Sequence, residues 1–96
     1  MEAIKYFEWN EEKNELLKAE RGVSFEEVIM AIALGKMLDM LINRNQKKYP
    51  NQRVYVVEIN KYVYLVPFVE DKEKIFLKTI FPSRKATKKY IINKHK

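Results

Sequence analysis

The side chains best able to do chemistry are concentrated late in the chain: Lys78, Arg84, Lys85, Lys88, Lys89 and Tyr90. From Lys78 to the C-terminus there are seven Lys or Arg and no Asp or Glu. Arginine grips a phosphate with two parallel donors, lysine acts as a point charge, and tyrosine stacks on a base or carries a proton. RNA is cut by such groups alone, because its own 2′-OH attacks the adjacent phosphate. The protein then needs only to stabilise the added charge and move protons. Lys78, Arg84 and Tyr90 are therefore the candidate catalytic residues. Lys85, Lys88 and Lys89 are candidate RNA-binding residues, with Arg53 reaching in from a neighbouring strand. The alternative is a non-catalytic basic patch, and residue types do not separate the two.

Other chemistries find little material. There is no cysteine, so disulfides, thiolate metal sites and thiol nucleophiles are excluded, and the single histidine, His95, is next to last. The two glycines, Gly22 and Gly35, stand at expected helix ends and form no phosphate-binding loop. Glu11/Glu12 and Glu26/Glu27 sit in first turns of expected helices, where they complement the helix dipole. No cofactor or metal is expected. No apolar run is long enough to span a bilayer and the N-terminus lacks a signal pattern, so a cytoplasmic protein with no membrane partner is expected.

The net charge of +6 is unevenly spread. Residues 1–27 hold eight acids and four bases, whereas residues 28–96 hold five acids and fifteen bases. Such asymmetry points to one face for an anionic partner. With 96 residues, 47% hydrophobic and 33% charged, the chain is expected to form a single globular domain over 1–96.

The elements that must position the cations follow from local patterns. Ile4 to Trp9 reads as a short aromatic strand. Asn10 is an expected N-cap of a helix running to about Arg21 and ended by Gly22, with Leu16 and Leu17 as its core contacts and Asn14 among its solvated residues. Ser24 and Glu27 form a capping box for a second, more buried helix through Phe25, Val28, Ile29 and Ile32, ending at Gly35. Lys36 to Ile42 is ambiguous between strand and helix, and its place between Gly35 and a polar loop favours strand. Gln52 to Ile59 and Tyr62 to Val69 form a hairpin through Asn60-Lys61. Pro67 marks a bulge, a strand end or an edge. Ile75 to Phe81 is the last strand, from which Lys78 is expected to emerge on the sheet surface. A short basic helix then starts at Ser83 or Thr87 and ends near Asn93, followed by a fraying tail. The expected class is α+β: a twisted antiparallel sheet, two N-terminal helices on one face and a short basic C-terminal helix. Tyr55, Val57, Tyr62 and Tyr64 exceed what two helices cover and are expected on an open face that receives a partner.

Three motifs in this order resemble the BrnT family of toxins: Tyr6-Phe7-Glu8-Trp9-Asn10-Glu11-Glu12-Lys13-Asn14, Arg21-Gly22-Val23-Ser24-Phe25-Glu26-Glu27 and Ser83-Arg84-Lys85-Ala86-Thr87. The resemblance spans nearly the whole chain. It implies a fold like the RelE/ParE toxins and a ribonuclease activity that arrests translation. It also implies a cognate antitoxin of the ribbon-helix-helix type, through which operator DNA is met only indirectly. Carried over to this chain, it makes Arg84 a phosphate-binding residue near the active site, with Lys85 and Thr87 beside it as RNA-binding residues. The chain departs from the pattern at Arg21, where many members carry histidine, and in a longer loop over Gln46 to Gln52.

Overall fold

The computed structural model of the protein describes residues 5–42, 45–48 and 51–92. Its elements are β1 (Tyr6–Glu8), α1 (Glu11–Arg21), α2 (Phe25–Ala33), β2 (Met37–Ile42), β3 (Gln52–Ile59), β4 (Tyr62–Glu70), β5 (Lys74–Leu77), β6 (Phe81–Pro82) and α3 (Arg84–Thr87), which continues into a π-helical segment, Lys88–Ile92. The class is α+β, as expected. The expected helix end near Asn93 and the tail with His95 lie outside the described residues.

Both N-terminal helices begin where their caps direct. The Asn10 side chain accepts from the Lys13 N–H at 2.9 Å, and the Ser24 hydroxyl accepts from the Glu27 N–H at 3.2 Å. Gly22 closes α1 at φ 68, a left-handed conformation that a Cβ would strain. Asn14 is not solvated but fully buried. Its Oδ1 accepts from the Phe25 N–H at 2.8 Å, and its Nδ2 donates to Glu26 at 2.8 Å and to Glu11 at 3.0 Å. The amide thus satisfies a free donor at the start of α2 and ties the two helices together.

Among the described residues the strands form one sheet in the order β1-β5-β4-β3-β2, with β6 also on β4. The sheet is mixed rather than antiparallel throughout, because β1 lies parallel to β5, with Tyr6 opposite Lys74. The two strands reach each other across α1, α2 and the central hairpin, and no tight turn dictates their direction. The hairpin turn is as expected: Asn60 and Lys61 both have positive φ, 53 and 65.

The expected last strand is broken, and Pro67 explains the break. Pro67 is inside β4, opposite Val54 of β3. Its carbonyl accepts from the Lys78 N–H at 2.8 Å, so its ring nitrogen also faces the β5–β6 side. The missing donor therefore costs the β3 ladder nothing and interrupts pairing on the other side. Residues 78–80 leave the ladder there, Ile80 is fully buried, and its carbonyl accepts from the Arg21 guanidinium.

The core lies between the sheet and α1/α2. Leu17, Val23, Phe25 and Val28 pack with Tyr55, Val57, Val66, Phe68, Leu77 and Ile80. Full burial of each large apolar side chain contributes about 1.5–3 kcal/mol. Trp9 stacks on Phe25 at 5.6 Å and Tyr55 on Phe68 at 4.0 Å. The open aromatic face expected for Tyr55, Val57, Tyr62 and Tyr64 is thus corrected: Tyr55 and Val57 are buried in this core, and Tyr62 and Tyr64 are half-buried. On the opposite face Val56 and Val63 are fully buried, and the C-terminal segment packs against β4. β2 is an exposed edge strand presenting Met37, Met40, Leu41 and Ile42.

Candidate nucleic-acid interface

The C-terminal cations are held by a three-part clasp on Val63. Its carbonyl accepts from the Ser83 N–H at 3.0 Å, its N–H donates to Thr87 Oγ1 at 2.9 Å, and that hydroxyl donates to the Ser83 carbonyl at 2.8 Å. Ser83 is the N-cap of α3, its hydroxyl accepting from the Ala86 N–H at 3.0 Å. Ser83 rather than Thr87 therefore starts the helix. Thr87 is buried and both its hydroxyl functions are used within the fold. The residue that the motif offers as an RNA contact thus anchors the segment that carries the cations.

Arg84, Lys85, Lys88 and Lys89 project from this anchored segment and are exposed. The three ion pairs among the described residues are Lys5–Glu70, Lys18–Glu15 and Lys74–Glu8, so none of these four cations is neutralised by a carboxylate in contact. Lys89 lies over the Tyr90 ring, 5.2 Å from its centroid. This cluster is the part of the sequence-derived site that the fold brings together.

Two members fall elsewhere. Lys78 is exposed, but it lines a shallow depression with Asn10, Glu12, Lys13 and Leu16 beside α1. Arg53 pairs with Phe68 near the far end of the β3–β4 hairpin, five positions along β4 from the Val63 clasp. At about 3.3 Å per residue that is roughly 17 Å. There it lines an open cavity of about 390 Å³ with Lys5, Asn51, Glu70, Asp71 and Lys72.

Tyr90 is half-buried, and its hydroxyl donates to Asp39 Oδ2 at 2.7 Å. That hydrogen bond, followed by burial, raises the Tyr90 phenol above its ordinary value, so it stays protonated at neutral pH. The same bond, with a second from the Met40 N–H, holds the Asp39 carboxyl below its usual range. The Tyr90 proton is thus engaged by a surface carboxylate. Sequence reasoning did not foresee this partner. The available signal was a lone acid in the apolar run Met37-Leu38-Asp39-Met40-Leu41-Ile42, which marks an irregular strand. Among the described residues, no three His, Asp or Glu side chains gather as metal ligands do.

A search of known protein families, of curated proteins and of solved structures finds no match to this chain. No helix among the described residues is long and apolar enough to cross a membrane.

Proposed function

We propose that this chain acts on RNA, as a metal-independent ribonuclease toxin of the kind its three motifs resemble, with a RelE-like fold and a cytoplasmic site of action. The observation that carries the reading is the anchored row of Arg84, Lys85, Lys88 and Lys89, exposed and free of ion pairs among the described residues. Exposed cations on a rigid support neutralise phosphates at little conformational cost. Arg84 grips the phosphate and stabilises the charge that develops when the 2′-OH attacks. On this reading a cognate antitoxin of the ribbon-helix-helix type covers the toxin, and operator DNA is met only through it.

A second reading has its own support. Lys78 is set beside α1 and the Tyr90 proton is committed to Asp39, so the groups expected to move protons do not converge with Arg84. This favours a module of the same fold that binds RNA or protein without cutting.

One assay separates the two. Purified protein is incubated with RNA in EDTA and the products are resolved. Cleavage leaving a 2′,3′-cyclic phosphate supports the toxin, while a salt-dependent mobility shift with intact RNA supports the binder. Arg84→Ala is expected to abolish cleavage, or to weaken binding by about fivefold at about 0.1 M salt, while changing stability by less than about 0.5 kcal/mol, since an exposed cation contributes little. An Arg84→Ala protein with undiminished cleavage and binding removes this surface from consideration.

A further inference from the structure

Asp39 owes its position to an irregularity in β2. Met37 pairs with Val57, and Asp39 pairs with Val56, the very next residue of β3, so Leu38 is an inserted residue. Without this bulge, alternation would turn Asp39 to the same face as Met37, toward α1 and α2. With it, Asp39 turns to the face that carries the C-terminal segment. There it accepts from the Tyr90 hydroxyl at 2.7 Å and from the Met40 N–H at 2.8 Å. Tyr90 lies in the π-helical segment Lys88–Ile92, a geometry that recurs at functional positions. Lys88 and Lys89 immediately precede it, and the Lys89 ammonium rests against its ring. Two irregular backbones, the bulge and the π-helix, therefore meet in one hydrogen bond. Among the described residues Asp39 forms no contact ion pair; its side-chain hydrogen-bond partner is Tyr90, and the Lys89 charge also acts on it.

We propose that Asp39 is a positioning residue: through Tyr90 it fixes the orientation of the Arg84–Lys89 segment, so that these cations meet successive phosphates of an RNA strand together. This rests on the RNA reading above and deepens it, because it assigns a role to an acidic residue beside a polyanion site. Plain electrostatics makes the opposite forecast. A carboxylate next to phosphate-binding cations repels the ligand, and deleting it should tighten binding. A positioning role makes deletion weaken it.

The test is equilibrium binding of the full chain to a fluorescently labelled 2′-O-methyl oligouridylate, which cannot be cut by its own 2′-OH, over a range of salt concentrations. One lysine–phosphate contact changes the single-strand salt slope by about 0.7, which at about 0.1 M salt is roughly fivefold in affinity. Asp39→Ala and Tyr90→Phe are each expected to weaken binding by about fivefold and to flatten the salt slope by about 0.7. The double variant is expected to bind no worse than either single one, since both remove the same bond. Asp39→Asn keeps an acceptor for the Tyr90 hydroxyl and loses only the charge, so it is expected to bind at least as well as wild type. Thermal melts of all four variants, close to wild type because Asp39 is exposed, show that the fold is intact. Tighter binding by Asp39→Ala, or equal weakening in Asp39→Asn and Asp39→Ala, overturns the positioning role. A wild-type chain that ignores the oligonucleotide at low salt overturns the RNA reading together with it. Tight wild-type binding with unmoved variants overturns the positioning role alone.

Discussion

Replacing Thr87 by valine separates anchoring from RNA contact at a position where the motif alone favours contact. Valine keeps the branched shape and removes the hydroxyl. The Val63 N–H, fully buried, then loses its acceptor. An unmet buried donor costs about 1–3 kcal/mol. The Ser83 carbonyl suffers less, because it still accepts from the Thr87 N–H at 2.9 Å. A loss of about 2 kcal/mol follows, the middle of the range for one unmet donor. For a domain of this size each kcal/mol moves the melting temperature by about 4–8 °C, so Thr87→Val is expected to melt about 8–16 °C lower. Thr87→Ser keeps both hydrogen bonds and loses one methyl group, about 0.8 kcal/mol. Calorimetry and urea titration of the three proteins measure this ordering. Oligonucleotide binding well below the transition should be nearly unchanged in Thr87→Ser. A valine variant that melts with wild type and yet binds RNA poorly would refute the anchoring argument and restore Thr87 as a contact.

Asn14→Ala removes the acceptor for the buried Phe25 N–H and is expected to cost about 1–3 kcal/mol in urea unfolding, with RNA binding retained. Ser24→Ala removes the α2 cap and should cost about 1 kcal/mol; an unmoved urea midpoint would show that the cap contributes nothing. The Glu26 carboxyl is held below its ordinary value, first by the Asn14 amide and then by its own N–H. Its contribution is therefore present above the unfolded value, about 4.3, and is lost as pH falls through the lower folded value. Glu26→Gln should accordingly lose less stability than wild type on acidification below about pH 4.5, read as a shallower acid limb of the melting temperature.

How much of this was legible in the chain depended on whether the signal was local. Asn10, Ser24, Gly22 and the Asn60-Lys61 turn act on backbone groups a few residues away, and each formed as read. The strand over 37–42 was resolved by its neighbours and not by its own pattern. What stayed hidden depended on pairing across the sheet. Pro67 announced an irregularity, but its effect fell on Lys78 to Ile80, which meet it only through the β4–β5 ladder. Which face Tyr55 and Val57 occupy depends on where α1 and α2 land, and alternation alone is symmetric between the two faces. The cationic row itself was legible because it is contiguous. Its supports, Val63 and Asp39, are 24 and 51 residues away from the side chains they hold and left no mark in spacing.

The parallel contact between β1 and β5 has a consequence for biosynthesis. Tyr6 meets Lys74, 68 positions later in the chain. At about 5–20 residues per second, a ribosome needs roughly 3–14 s to supply the second strand after the first. Trp9, α1 and α2 require only each other for the Trp9–Phe25 stack and the Asn14 bridge, so they can assemble during that wait. Until β5 has been synthesised β1 is therefore an orphan aromatic ribbon, and this edge of the sheet closes later than α1 and α2 form.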